Sequence, residues 1–168
     1  MLLKTHYVFS TGVLTPVGTL FLHSFYDALL LAGVISVVAN TLIDRLGHEM
    51  VWAEGRTIPR RTPLTHTYPR SVLWGLLVSV AILSLLYYGD RYLFRYHGEE
   101  LIITGLLYGV LVGPSHMFLD MFTERGIYVR EGGRWRRFAV AHFRFNDPVV
   151  NGLAALVGVL LIMLSLQI

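Results

Sequence analysis

His116 and Asp120 stand four residues apart at the end of an apolar run, in "GPSHMFLDMFTERG", residues 113–126. On a helix of 3.6 residues per turn this spacing puts both side chains on one face, where an imidazole and a carboxylate can share an ion. Asp44 and His48 repeat the spacing in "NTLIDRLGHE", and His6 and His66 add two further imidazoles. No cysteine is present. Any metal must therefore be held by nitrogen and oxygen donors, a set that suits Zn²⁺ or Mn²⁺ better than Ca²⁺ or Mg²⁺, as one ion or two. The chemistry open to such a centre is hydrolysis through a metal-activated water. His6, His66, His116 and Asp120 would be the main ligands, with Asp44 a ligand or the general base and Asp120 the second catalytic carboxylate.

These residues sit in a chain of 168 residues that is 54% hydrophobic and only 15% charged, too apolar for a soluble domain of this length. Composition predicts a single integral-membrane domain over residues 1–168, an all-α polytopic helix bundle. Three runs are long enough to span a bilayer: Ser71 to Tyr88, Leu101 to Phe122, and Val149 to Ile168. Residues 4–43 hold one span or two. The five-helix reading, with crossings at Thr5 to Leu22 and Ala28 to Ile43, places twelve of the fourteen basic residues on one side and leaves only Arg91 and Arg95 on the other. By the positive-inside rule the rich side is cytoplasmic, together with the N-terminus. Pro16, flanked by Gly12 and Gly18, predicts a kink in the first helix. "REGGRWRRF", residues 130–138, predicts an arginine-rich hairpin or loop turning at Gly132 and Gly133, ahead of the last helix. The N-terminal stretch lacks a convincing cleavage site and is read as retained.

On this map His6, Asp44, His48, His66, His116 and Asp120 all fall at one depth on one face of the bilayer, which neither hydropathy nor the charge rule demands. Asn40, one turn before Asp44, and Asn151, at the start of the last helix, lie at the same level and are candidates, with His48, for outer-shell roles or a second metal. Asp147 reads as the cap of the last helix, with Pro148 at its first position. Arg45 and Arg61 are topology anchors that could also bind an anionic substrate.

With these residues in view, the chain resembles the YdjM-type inner-membrane metal-dependent hydrolases. The resemblance is carried by "THYVFSTGVL", "NTLIDRLGHE", "RTPLTHT", and a Ser-His-x-x-x-Asp helix that runs into "MFTERGIYV". It implies His6, Asp44, His66, His116 and Asp120 as the polar set of that family. The second element departs from the family's Pro-Asp-x-Asp-His pattern: Asp44 matches, Arg45 stands at the His position, and His48 is a displaced substitute.

Together these features predict a membrane-embedded hydrolase that acts on an anionic lipid or other phosphoester at the cytoplasmic face of the cell's inner membrane. Membrane lipid is the expected partner and nucleic acid is not, since inward-facing loops carry such arginines anyway. Two alternatives use the same residues. One is a haem-binding helix bundle with paired histidines as axial ligands, and the other a non-catalytic polar network.

Overall fold

The computed structural model describes residues 1–53 and 55–168, with side chains throughout these except at 53, 56, 58, 59, 92–94 and 96. Five α-helices dominate: α1 (Leu3–Leu22), α2 (Phe25–Leu46), α3 (Tyr68–Gly89), α4 (Arg91–Asp120) and α5 (Pro148–Leu164), the last ending in a 3-10 turn, Ser165–Gln167. Four segments are long and apolar enough to cross a membrane: Phe25–Leu46, Tyr68–Gly89, His97–Asp120 and Pro148–Gln167. α1 carries Lys4, His6 and several hydroxyl residues and falls outside that set. It packs against α2, α4 and α5 and buries His6, Ser10 and its threonines there.

Local chemistry sets the ends of these helices. The Ser24 side chain accepts from the Asp27 amide at the start of α2, and Thr67 from the Arg70 amide at the start of α3. Asp147 caps α5 by accepting from Val149 and Val150 at 2.9 and 3.0 Å, with Pro148 at the first position as the sequence predicts. α1 runs as one helix through Pro16. The departure from helical backbone falls in α4, at His97, with φ −132° and ψ 19°.

The all-α expectation needs correction, because both connections at the polar end of the bundle are β-hairpins. β1 (His48–Ala53) pairs antiparallel with β2 (Arg56–Arg61), and β3 (Ile127–Glu131) with β4 (Arg134–Phe138). The second is the arginine-rich hairpin expected from sequence: Gly132 and Gly133 have φ of 57° and 79°, the left-handed pair that a two-residue turn requires. The first was not foreseen. Its residues alternate too briefly to stand out beside the apolar run of α2.

Small residues bring the helices close. A Cβ placed on Gly12 would collide with the Gly158 carbonyl of α5, and one on Gly75 with the Gly109 carbonyl of α4. Gly12→Ala is expected to lower stability by about 1–3 kcal/mol through this backbone clash. An unchanged thermal unfolding midpoint of the purified protein would contradict the contact.

Candidate metal centre

Every ligand candidate lies at the end of the bundle where the hairpins sit. His6 comes from the second turn of α1, Asp44 from the last turn of α2, His66 from the turn before α3, and His116 with Asp120 from the last turns of α4. Residues far apart in the chain thus meet. His116 Nε2 is 3.2 Å from Asp120 Oδ2 and 3.7 Å from Asp44 Oδ1, and His66 Nε2 is 3.6 and 3.7 Å from the same two oxygens. His6 Nε2 lies 3.3 Å from Asp120 Oδ1, its ring stacked on that of His116 with centroids 3.9 Å apart. His6, His66, His116 and Asp120 are fully buried, and Asp44 keeps an exposed edge.

The surrounding hydrogen bonds fix which nitrogen of the His66 and His116 rings is free. Asn40 donates its amide nitrogen to the Ser36 carbonyl at 2.8 Å, so its oxygen faces His116 Nδ1 at 2.7 Å and must accept a proton from it. The Thr65 hydroxyl gives its single hydrogen to the Ile43 carbonyl at 2.8 Å, so its oxygen accepts from His66 Nδ1 at 2.9 Å. Both rings therefore aim Nε2 lone pairs inward, at two carboxylates. His66 Nε2, His116 Nε2, Asp120 Oδ2 and both nitrogens of His6 are buried without a hydrogen-bond partner in the protein.

Acceptors facing acceptors in a buried space are unfavourable unless a cation lies between them. Two overlapping triads could hold one, His6 with His116 and Asp120, and Asp44 with His66 and His116, each with its ligand atoms within 4.8 Å of one another. The separations of 3.2–3.7 Å match donors on a common ion, because Zn–N bonds of about 2.0–2.1 Å give tetrahedral edges of roughly 3.3 Å. Burial pushes His66 down to about 4, a shift that Asp44 partly offsets and the Arg61 guanidinium reinforces. At neutral pH this ring is an uncharged donor, the form a metal needs.

Arg61, the last residue of β2, has a different place from the anion-binding rim suggested by sequence. It is 5% exposed and turned inward, donating to Asp120 Oδ1 at 2.7 Å and to the Gly126 carbonyl at 2.8 Å. The Met1 ammonium reaches the same Oδ1 at 2.8 Å, so Oδ2 is the oxygen left facing His66 and His116. Tyr128 locks this arrangement from β3, its hydroxyl donating to the Arg61 carbonyl and its amide to the His66 carbonyl, both at 2.8 Å.

The remaining candidates divide. Asn40 supports His116 directly, as described. His48 Nδ1 bonds the Asp44 backbone carbonyl at 2.6 Å and lies 3.9 Å from its carboxylate, beside the cluster but outside both triads. Asn151 is not among the ligands: its oxygen accepts from the Leu2 amide and the Thr5 hydroxyl, and its amide donates to the Phe145 and Asp147 carbonyls. It ties α1 to α5 and so sets the height of His6. Arg45 is exposed. Sequence reasoning missed Thr65 and Tyr128. The threonine adjoins His66, which is the one signal that could have marked it.

A family model matches residues 1–119, most of the chain. The chain belongs to the DUF1286 family. Its description reads "Protein of unknown function". The DUF1286 match spans His6, Asp44, His66 and His116 together with Asn40, Arg61 and Thr65, and ends one residue before Asp120. Neither a curated protein nor a solved structure matches the chain.

Proposed function

We propose that this protein is a membrane-embedded, metal-dependent hydrolase of anionic phosphoesters, lipid phosphoesters foremost, working at the cytoplasmic face of the inner membrane. The observation that carries the reading is the inward convergence of imidazole nitrogens and two carboxylates from four separate parts of the chain. His66, His116, Asp120 and Asp44, with His6 alongside, would hold the ion, Zn²⁺ or Mn²⁺ by its donor set. His116 has a single free lone pair, since Asn40 engages its Nδ1, and so serves only one ion. One ion fits the shared position of His116 in both triads. A divalent metal held there acidifies water and polarises a phosphoryl group.

The chain's own groups supply the rest. Asp44 is the one carboxylate of the cluster with an edge to solvent, so it is placed to orient water and accept its proton. His48, bonded to the Asp44 backbone, stands at the same opening and can relay that proton outward. Arg45, the residue after Asp44, is exposed and offers charge for an anionic group, the role Arg61 cannot fill while paired with Asp120.

The test separates holding the metal from using it. Asp44→Asn keeps an oxygen donor but removes the base. It is expected to retain stoichiometric metal by elemental analysis and to lose at least about 100-fold in hydrolysis of an anionic phosphoester panel. Full activity in Asp44→Asn would overturn the assignment. The complete burial of His6, His66, His116 and Asp120 favours a second reading, a structural metal that clamps the helices. That reading requires stoichiometric metal and no turnover in the wild-type protein. Haem is disfavoured by the His6 and His116 rings, which stack at 3.9 Å and leave no space for a macrocycle between them.

A further inference from the structure

The same end of the bundle carries a second surface that the metal centre does not use. Residues 125–144 hold six arginines against one glutamate, Glu131. β4 is exposed along its whole length, so Arg134, Trp135, Arg136, Arg137 and Phe138 all face outward. Trp135 is flanked by two guanidinium groups, Arg70 at 5.0 Å and Arg130 at 5.9 Å from the ring centre, and Arg125 lies 5.4 Å over Phe145. The segment that follows leaves Val140, Phe143 and Phe145 at 57, 45 and 40% exposure. Glu131 neutralises only Arg136, at 2.6 Å.

We propose that this hairpin and the segment after it form a binding surface for anionic phospholipid, its arginines on the headgroup phosphates and its aromatic residues among the upper acyl chains. Three observations place the surface at headgroup depth. Arg70, in the first turn of the membrane-length helix α3, stacks on Trp135 and so fixes the hairpin's height at that helix end. The 139–147 segment is held to the end of α4, with the Val140 amide donating to the Met121 carbonyl at 2.8 Å and the Phe143 amide to Phe122 at 3.1 Å. All three tryptophans, Trp52, Trp74 and Trp135, lie in the hairpins or the first turns of α3, as residues with an apolar body and a polar tip do at a membrane interface. Charge complementarity then selects the lipid: basic groups at this depth attract anionic headgroups and discriminate against zwitterionic ones. A nucleic acid could meet the arginines but would leave Val140, Phe143 and Phe145 uncovered. This proposal goes beyond hydrolysis and holds whether or not the metal centre turns over.

The experiment uses the full-length protein in neutral detergent, titrated with fluorescent phosphatidylglycerol or phosphatidylcholine, with inorganic phosphate and a DNA duplex as competitors. The expected result is phosphatidylglycerol binding at least about tenfold tighter than phosphatidylcholine and weakened by salt. In the triple variant Arg134→Gln, Arg136→Gln, Arg137→Gln this preference should fall to near parity while bound metal is unchanged. Trp135→Ala, a single exposed change, should lower phosphatidylglycerol affinity several-fold by the loss of cation–π stacking, and serves if the triple variant does not fold. Equal affinity for the two lipids, an undiminished preference in the variants, or displacement of phosphatidylglycerol by phosphate or DNA at comparable concentration would each overturn the proposal. The variants leave every residue of the metal centre in place, so loss of the lipid preference with bound metal unchanged is distinct from a failure of that centre.

Discussion

Asp120→Ala is expected to empty the metal centre and to destabilise the fold by about 3–5 kcal/mol, the largest single effect foreseen for this protein. Two causes act together. The variant removes an oxygen that lies 3.2 and 3.6 Å from two imidazoles, and it strands the buried Arg61 guanidinium that had been paired at 2.7 Å. A compensated variant separates them. Arg61→Met combined with Asp120→Leu replaces the ion pair with apolar volume and should recover most of the stability without recovering the metal. Elemental analysis and thermal unfolding of both variants make the comparison. Normal metal content in either would show that Asp120 is no ligand, and a fully stable Asp120→Ala would show that the Arg61 pair does not form.

The second large effect lies outside the ligands. Thr65→Val should weaken metal binding by about 10–100-fold, the usual loss when an outer-shell hydrogen bond that orients a ligating histidine is removed. The hydroxyl is what commits His66 to carrying its proton on Nδ1, so without it the ring is free to turn or to present an N–H to the carboxylates. Thr65→Ser keeps the hydroxyl and should bind metal as the wild type does. Asn40→Leu should act likewise on His116. Competition with a chromophoric chelator measures each affinity. Valine at position 65 binding metal as tightly as serine would remove Thr65 from this role.

The candidate centre was unusually legible because helical periodicity pairs His116 with Asp120, and because the hydropathy map sets His6, Asp44 and His66 at the same end of their segments. Backbone placement alone brings such residues together, and the structure closes the gap to 3.2–3.7 Å. Arg61 shows where this reasoning stops. Its partner is 59 residues away and reached only because the last residue of β2 comes to the end of α4, so a loop arginine next to other arginines read as a surface charge. The hairpin itself escaped notice for a related reason: strand pairing is a contact between segments, and "HEMVWA" beside "RTIPRR" has no strong apolar alternation to announce it. Helix ends at caps such as Thr67 and Asp147 were readable to within a few residues, since capping is local chemistry. Pro16 lies inside one continuous α1, and a non-helical residue, His97, interrupts α4.

Because the donors run from position 6 to position 120, a ribosome must deliver most of the polypeptide before the last of them exists. A nascent protein that has completed α1 to α3 still lacks both members of the i, i+4 pair on α4. A metal held by this set would therefore be captured late in biogenesis, and Asn151, arriving later still, fastens the N-terminal helix only after α5 has joined.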